Sequence, residues 1–87
     1  MSCLTVEHME VKRAERLATV KAMAADGSAR RVRIAARLSL RDVALAVGVN
    51  TSTVGKWETG TRVPRGDAAW RYADLITRLQ RAQKSPS

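Results

Sequence analysis

Residues 38–60 read Leu-Ser-Leu-Arg-Asp-Val-Ala-Leu-Ala-Val-Gly-Val-Asn-Thr-Ser-Thr-Val-Gly-Lys-Trp-Glu-Thr-Gly. Two short helices joined by a tight turn account for this pattern. Ser39 suits the position before a helix, where its hydroxyl can accept a backbone N–H that the first turn leaves unpaired. Asp42, three residues on, can reach back to the Ser39 N–H in a box-like arrangement. Val43, Ala44 and Val47 recur at helical spacing over 40–47. Gly48 supplies the turn, Asn50 caps a second helix over 51–59, and Gly60 ends it. Small residues at the crossing, Ala44 and Gly48, let the helices meet at a steep angle. Val43, Val47, Val49, Val54 and Trp57 then fill the space between them.

Outward from this stretch the chain stays helical. Residues 9–25 are rich in Ala, Lys, Arg, Glu and Met, all good helix formers. Ala14, Leu17, Ala18, Lys21 and Ala25 fall near one face, with Val20 and Met23 beside it. Asp26-Gly27-Ser28 reads as a stop and a restart, with Ser28 capping a helix over 29–37. Two helices over 9–37 are therefore favoured over one bent helix. Val32, Ala35 and Ala36 are expected to point inward. After a loop containing Pro64, Asp67 caps a last helix that reaches Ala82, with an apolar stripe through Trp70, Ala73, Leu75, Ile76 and Leu79. Residues 1–8 show no periodicity and read as loose; residues 83–87 form a polar tail. The expected fold is an all-α bundle of five helices. Its division is an N-terminal extension or helix over 1–27, a domain over 28–82 and the tail.

Eighty-seven residues suffice for one core. With no Phe, and with apolar residues that are mostly Ala, Val and Leu, that core must be small and helical. The single cysteine, Cys3, allows no internal disulfide, which fits a reducing compartment. No apolar run approaches the roughly 20 residues that span a bilayer, and the start lacks the order of a signal peptide. The expected location is the cytoplasm, at the nucleoid when bound to DNA. His8 and Cys3 make no metal site, and no catalytic constellation or phosphate-binding glycine loop can be assembled. Neither enzymatic activity nor a cofactor is expected.

The net charge is +8, and its placement is informative. Residues 1–27 carry four basic and four acidic side chains. Residues 28–66 carry eight basic against two acidic, and residues 67–87 four against two. The excess therefore surrounds the paired helices. Arginine dominates there, which suits bidentate contacts to phosphate or guanine. A basic surface alone is most simply a solvated face; its coincidence with the paired helices favours nucleic acid.

Residues 30–64 resemble the phage repressor and Cro-like helix-turn-helix family, often called the Xre family. The resemblance rests on Leu38-Ser39, Val43-Ala44, Gly48-Val49-Asn50, Ser52-Thr53-Val54, Trp57-Glu58-x-Gly60 and Arg62-x-Pro64. Residues 67–79 look like that family's closing helix. The resemblance implies a lambda-repressor-like bundle that binds double-stranded DNA in a sequence-specific way, usually as a homodimer on a palindromic operator, for transcriptional control. Carried over, it makes Thr51, Ser52, Gly55 and Lys56 base readers, Lys56 being the best candidate for guanine O6 or N7. It makes Asn50, Thr53, Thr61, Arg62 and Arg65 phosphate contacts. It also implies an ion pair between Arg33 and Glu58 that orients the second motif helix, and a core role for Trp57.

Three residues depart from the family pattern. Leu40 stands where a glutamine is common, so Arg41 beside it is expected to take the phosphate. Arg37 stands where the preceding helix usually ends in glycine. Gly55 lies inside the second motif helix, at a propensity cost of about 1 kcal/mol against alanine.

Three functions fit this reading: a small transcriptional repressor; an antitoxin with the same DNA-binding domain and a toxin as protein partner; and a basic helical adaptor for RNA, a membrane surface or an acidic protein. The candidate dimer surfaces are Trp70, Tyr72, Leu75 and Leu79 on the last helix and Met9, Leu17 and Met23 on the first; the plainer alternative is that both helices only pack on the core.

Overall fold

The computed structural model describes the backbone of residues 2–84 and the side chains of residues 11–83. Five helices follow in order: α1 Ser2–Asp26, α2 Ser28–Ala35, α3 Leu40–Val47, α4 Thr51–Glu58 and α5 Gly66–Lys84. Among the described residues there is no strand. α3 and α4 form the crossed pair, and the long helices α1 and α5 pack on one another and frame it.

Every helix feeds one core. Val20 and Ala24 come from α1, Ala29 from α2, Val43 and Val47 from α3, Val54 and Trp57 from α4, and Tyr72 and Ile76 from α5. The Trp57 and Tyr72 rings lie 4.8 Å apart at 36°, joining the second motif helix to α5. Outside the core, Arg13 and Arg16 of α1 lie over the Trp70 ring at 5.2 and 5.5 Å. The same arginines reach Asp67 and Asp74. These contacts are open to water and contribute little each.

Several local expectations need correction. Helix α1 begins at Ser2, so the backbone of residues 2–8 is helical rather than loose. Its inner face is Val20 and Ala24, whereas Ala14, Ala18, Lys21 and Ala25 are exposed. Alanine is too small to mark a face by itself, and Val20 together with Met23 packs against the core. Ser28 does not cap α2 but opens it, while the Asp26 carboxylate accepts the Ser28 N–H at 2.8 Å. The Ser28 hydroxyl, and then this backbone bond, hold the Asp26 carboxyl below the usual carboxylate range. Ala35 is exposed and Ala29 is buried instead. Asp67 lies in the first turn of α5 rather than before it, and α5 runs on through Lys84. Of the expected polar tail, Gln83 and Lys84 are helical, and residues 85–87 lie outside the described residues. So do the side chains of Cys3, His8 and Met9.

Tyr72 is 1% exposed and belongs to the core, which removes it from any dimer surface. Its hydroxyl is buried and meets no hydrogen-bond partner among the described residues. Burial, and then the nearby Glu58 carboxylate, push the phenol up to about 12. Folding therefore favours the neutral phenol. That stabilisation is complete below the ordinary value of 10.0 and is lost as pH rises toward about 12. Tyr72→Phe is expected to gain about 1 kcal/mol at neutral pH by removing an unsatisfied buried hydroxyl. It should also remove this alkaline loss. Paired thermal melts at neutral pH and near pH 11 check both; a variant less stable than the parent would show that the hydroxyl is satisfied.

Arg37 closes α2 in the left-handed region, at φ 60°. Its N–H donates to the Ile34 carbonyl at 2.9 Å, and the Leu38 N–H donates to the Arg33 carbonyl at 3.2 Å. A residue with a Cβ is strained there by about 1–2 kcal/mol. Arg37→Gly is expected to raise stability by about 1 kcal/mol, read as the midpoint of denaturant unfolding. A lower midpoint would show that the arginine side chain contributes more than the strain costs.

Candidate nucleic-acid interface

The local chemistry of α3 and its turn fixes the motif. Ser39 Oγ accepts the Asp42 N–H at 3.0 Å, and Asp42 Oδ2 accepts the Ser39 N–H at 2.8 Å, so the capping box is formed. The Ser39 backbone N–H, and then its hydroxyl, hold the Asp42 carboxyl below its usual range. At the far end Gly48 adopts φ 82°, and the Gly48 and Val49 N–H groups both donate to the Ala44 carbonyl. A glycine reverses the chain there without steric cost. Arg71 of α5 donates its Nε to the Val47 carbonyl at 2.7 Å, capping α3 from outside the motif.

Helix α4 is locked from behind. Val54 and Trp57 are buried beneath it. Glu58 Oε2 and Oε1 accept from Arg33 Nε at 2.6 Å and Nη2 at 3.0 Å, a bidentate pair. Arg33 Nη1 donates to the Leu38 carbonyl at 2.8 Å, tying α2, the loop before α3 and α4 into one unit. The pair is nearly dry, with side-chain exposures of 11% for Arg33 and 4% for Glu58. Hydrogen bonding to Glu58 raises the Arg33 guanidinium above its already high value. Arg33 is thus engaged inside the protein and does not face solvent.

The front of α4 is open. Thr51, Ser52 and Lys56 are exposed, and none bonds through its side chain to another described residue. Asn50 holds the position before the helix, at φ −74° and ψ 149°, but its side chain makes no capping bond. The amide is left exposed and available to a ligand. Gly55 sits on the side of α4 that faces α3, next to Leu40.

Beyond α4 the chain folds back onto its end. The Thr61 and Arg62 N–H groups both donate to the Lys56 carbonyl, at 2.9 and 3.2 Å. Thr59 and Thr61 share a hydroxyl contact of 3.0 Å. This hook sets Thr61, Arg62 and Arg65 around a groove of about 620 Å³ that Thr53 and Trp57 also line. Four of the expected phosphate contacts therefore meet in one place, from separate parts of the chain. Arg41 stands apart on the first turn of α3, exposed.

Both acidic side chains of residues 28–66 are occupied, Asp42 by the capping box and Glu58 by Arg33. Arg41, Lys56, Arg62 and Arg65 meet no carboxylate among the described residues. The negative charges are tied to partners within the protein while these four positive charges stay exposed, a field suited to a polyanion. Two features were missed in the sequence. The Arg71 cap acts on a carbonyl 24 residues away, which no local signal marks. The meeting of Leu40 with Gly55 needs the crossing of two helices.

A sequence model of the helix-turn-helix family matches residues 30–77, from α2 to most of α5. The protein belongs to the Cro/C1-type, Xre-like helix-turn-helix family. No curated protein and no solved structure matches it. As a member of this family the protein carries the domain of a DNA-binding regulator, with α3 and α4 as its helix-turn-helix pair. No described helix is long and apolar enough to cross a membrane.

Proposed function

We propose that this protein is a transcriptional repressor that reads double-stranded DNA by inserting α4 into the major groove, as a homodimer on a palindromic operator. The carrying observation is the division of α4. Its back is fixed by Trp57 and the Arg33–Glu58 pair, while its front offers Thr51, Ser52 and Lys56 without internal partners. A rigid element with free polar tips is what base reading requires, because side chains already bonded inside the protein cannot respond to base edges. The groove around Thr53, Thr61, Arg62 and Arg65 supports the reading, since phosphate contacts of this kind set the register of the helix. Arg41 and Asn50 would hold the backbone on the other side. Two such units related by a two-fold axis would place two recognition helices about one DNA turn, roughly 34 Å, apart.

The test is enrichment of duplexes from a randomised pool by the full chain, against an excess of nonspecific competitor. A palindromic consensus is expected. Lys56→Ala should then cost about 1–3 kcal/mol and relax preference at one base step. An unchanged preference at every step would remove Lys56 as a base reader. Retention by RNA or acidic protein without enrichment of any duplex would overturn the repressor reading in favour of a basic adaptor. Co-purification of a small toxic protein would instead identify an antitoxin.

A further inference from the structure

Gly55 and Leu40 are both unusual for the motif, and the structure puts them against each other. A Cβ added at Gly55 would stand 3.9 Å from Leu40 Cδ1, ordinary van der Waals distance. The leucine methyl therefore lies beside bare backbone of the recognition helix, where every other residue type would present a side chain. Leu40 is only half-buried: it packs against the core on one side and keeps part of its surface open. Helical spacing places Thr51 and Ser52 one turn above Gly55, at i−4 and i−3, so the strip at Gly55 continues the exposed front of α4. Lys56 adjoins it in the chain.

This strip can form no hydrogen bond through Leu40. Its only means of discrimination is apolar contact, and the one apolar feature on a base edge in the major groove is the C5-methyl of thymine. We propose that Leu40, laid across Gly55, is a specificity-determining contact that selects thymine by its methyl group. The inference rests on the proposed insertion of α4 into the groove and adds a reader from α3. Gly55 then has a function: by carrying no side chain, it leaves the leucine methyl an open path to the base.

The experiment uses the duplex enriched by the full chain. Each thymine is replaced in turn by deoxyuridine, which removes the methyl and nothing else. At least one position should bind about fourfold more weakly, the effect of losing one buried methyl group. Leu40→Ala and Leu40→Gln should bind the thymine and uracil duplexes alike at that position, while Leu40→Met should keep the difference. The wild-type comparison needs no variant to fold. Insensitivity of the wild-type chain at every thymine would overturn the proposal. So would a methyl effect that persists in both Leu40→Ala and Leu40→Gln, which would assign it to Thr51 or another side chain. Failure to enrich any duplex would overturn the DNA-reading proposal itself, and this inference with it.

Discussion

Glu58→Ala should cost about 3 kcal/mol and lower the thermal midpoint by roughly 10 °C or more. The substitution leaves the Arg33 guanidinium, 11% exposed, with the Leu38 carbonyl as its remaining partner among the described residues. A charge left unpaired in such a setting costs far more than an exposed ion pair contributes. The loss should be specific to the broken pair. Arg33→Ala together with Glu58→Ala should cost clearly less than the two single losses combined, because the second change removes the stranded partner. Thermal melts of the four proteins measure this coupling. A loss below about 1 kcal/mol for Glu58→Ala would mean that water screens the pair as it does on a surface. DNA binding should weaken in step with unfolding, since the pair holds α4 from behind and is nearly closed to solvent.

Binding to the enriched duplex should fall about a thousandfold between 50 and 200 mM salt. With Arg41, Arg62 and Arg65 as the proposed phosphate contacts in each protomer of the proposed dimer, about six phosphates would be neutralised, each contributing about −0.9 to the logarithmic salt slope. Arg62→Ala removes one from each protomer. It should flatten the slope by about two and weaken all sequences alike. Titration of binding against salt, on the enriched and on a scrambled duplex, reads both effects. A changed base preference with an unchanged slope would reassign Arg62 from backbone to base. A parent slope near −1 would mean that the groove around Thr61 and Arg65 does not hold phosphate.

Much of the motif was legible along the chain because its signals are local. Ser39 and Asp42 are three residues apart, and a capping box closes over that distance whatever surrounds it. Gly48 marks the turn for the same reason. The start of α1 and its inner face were not legible. A run rich in alanine offers little contrast between faces, so Val20 and Ala24 are singled out only by what packs against them. Ser28 and Asp67 were both misplaced as caps, because Ser and Asp suit the first turn of a helix as well as the position before it. Tyr72 stands among the last-helix residues that could serve a dimer surface or pack on the core, and spacing alone does not choose between the two. The ring fills the space beside Trp57, and its hydroxyl is buried with it.

The sequence by itself determined the pair of motif helices, the turn between them and the concentration of positive charge around them. These follow from caps, glycine and spacing, which act over a few residues. Only the tertiary structure decided which charges remain free. Folding brings Arg71 onto the end of α3, and it makes the Arg33–Glu58 pair that the resemblance implied bidentate and nearly dry. It gathers Thr53, Arg62 and Arg65 around one groove and lays Leu40 on Gly55. Such pairings depend on how five helices share one small core, because burying that core fixes their mutual angles and so which distant side chains can touch.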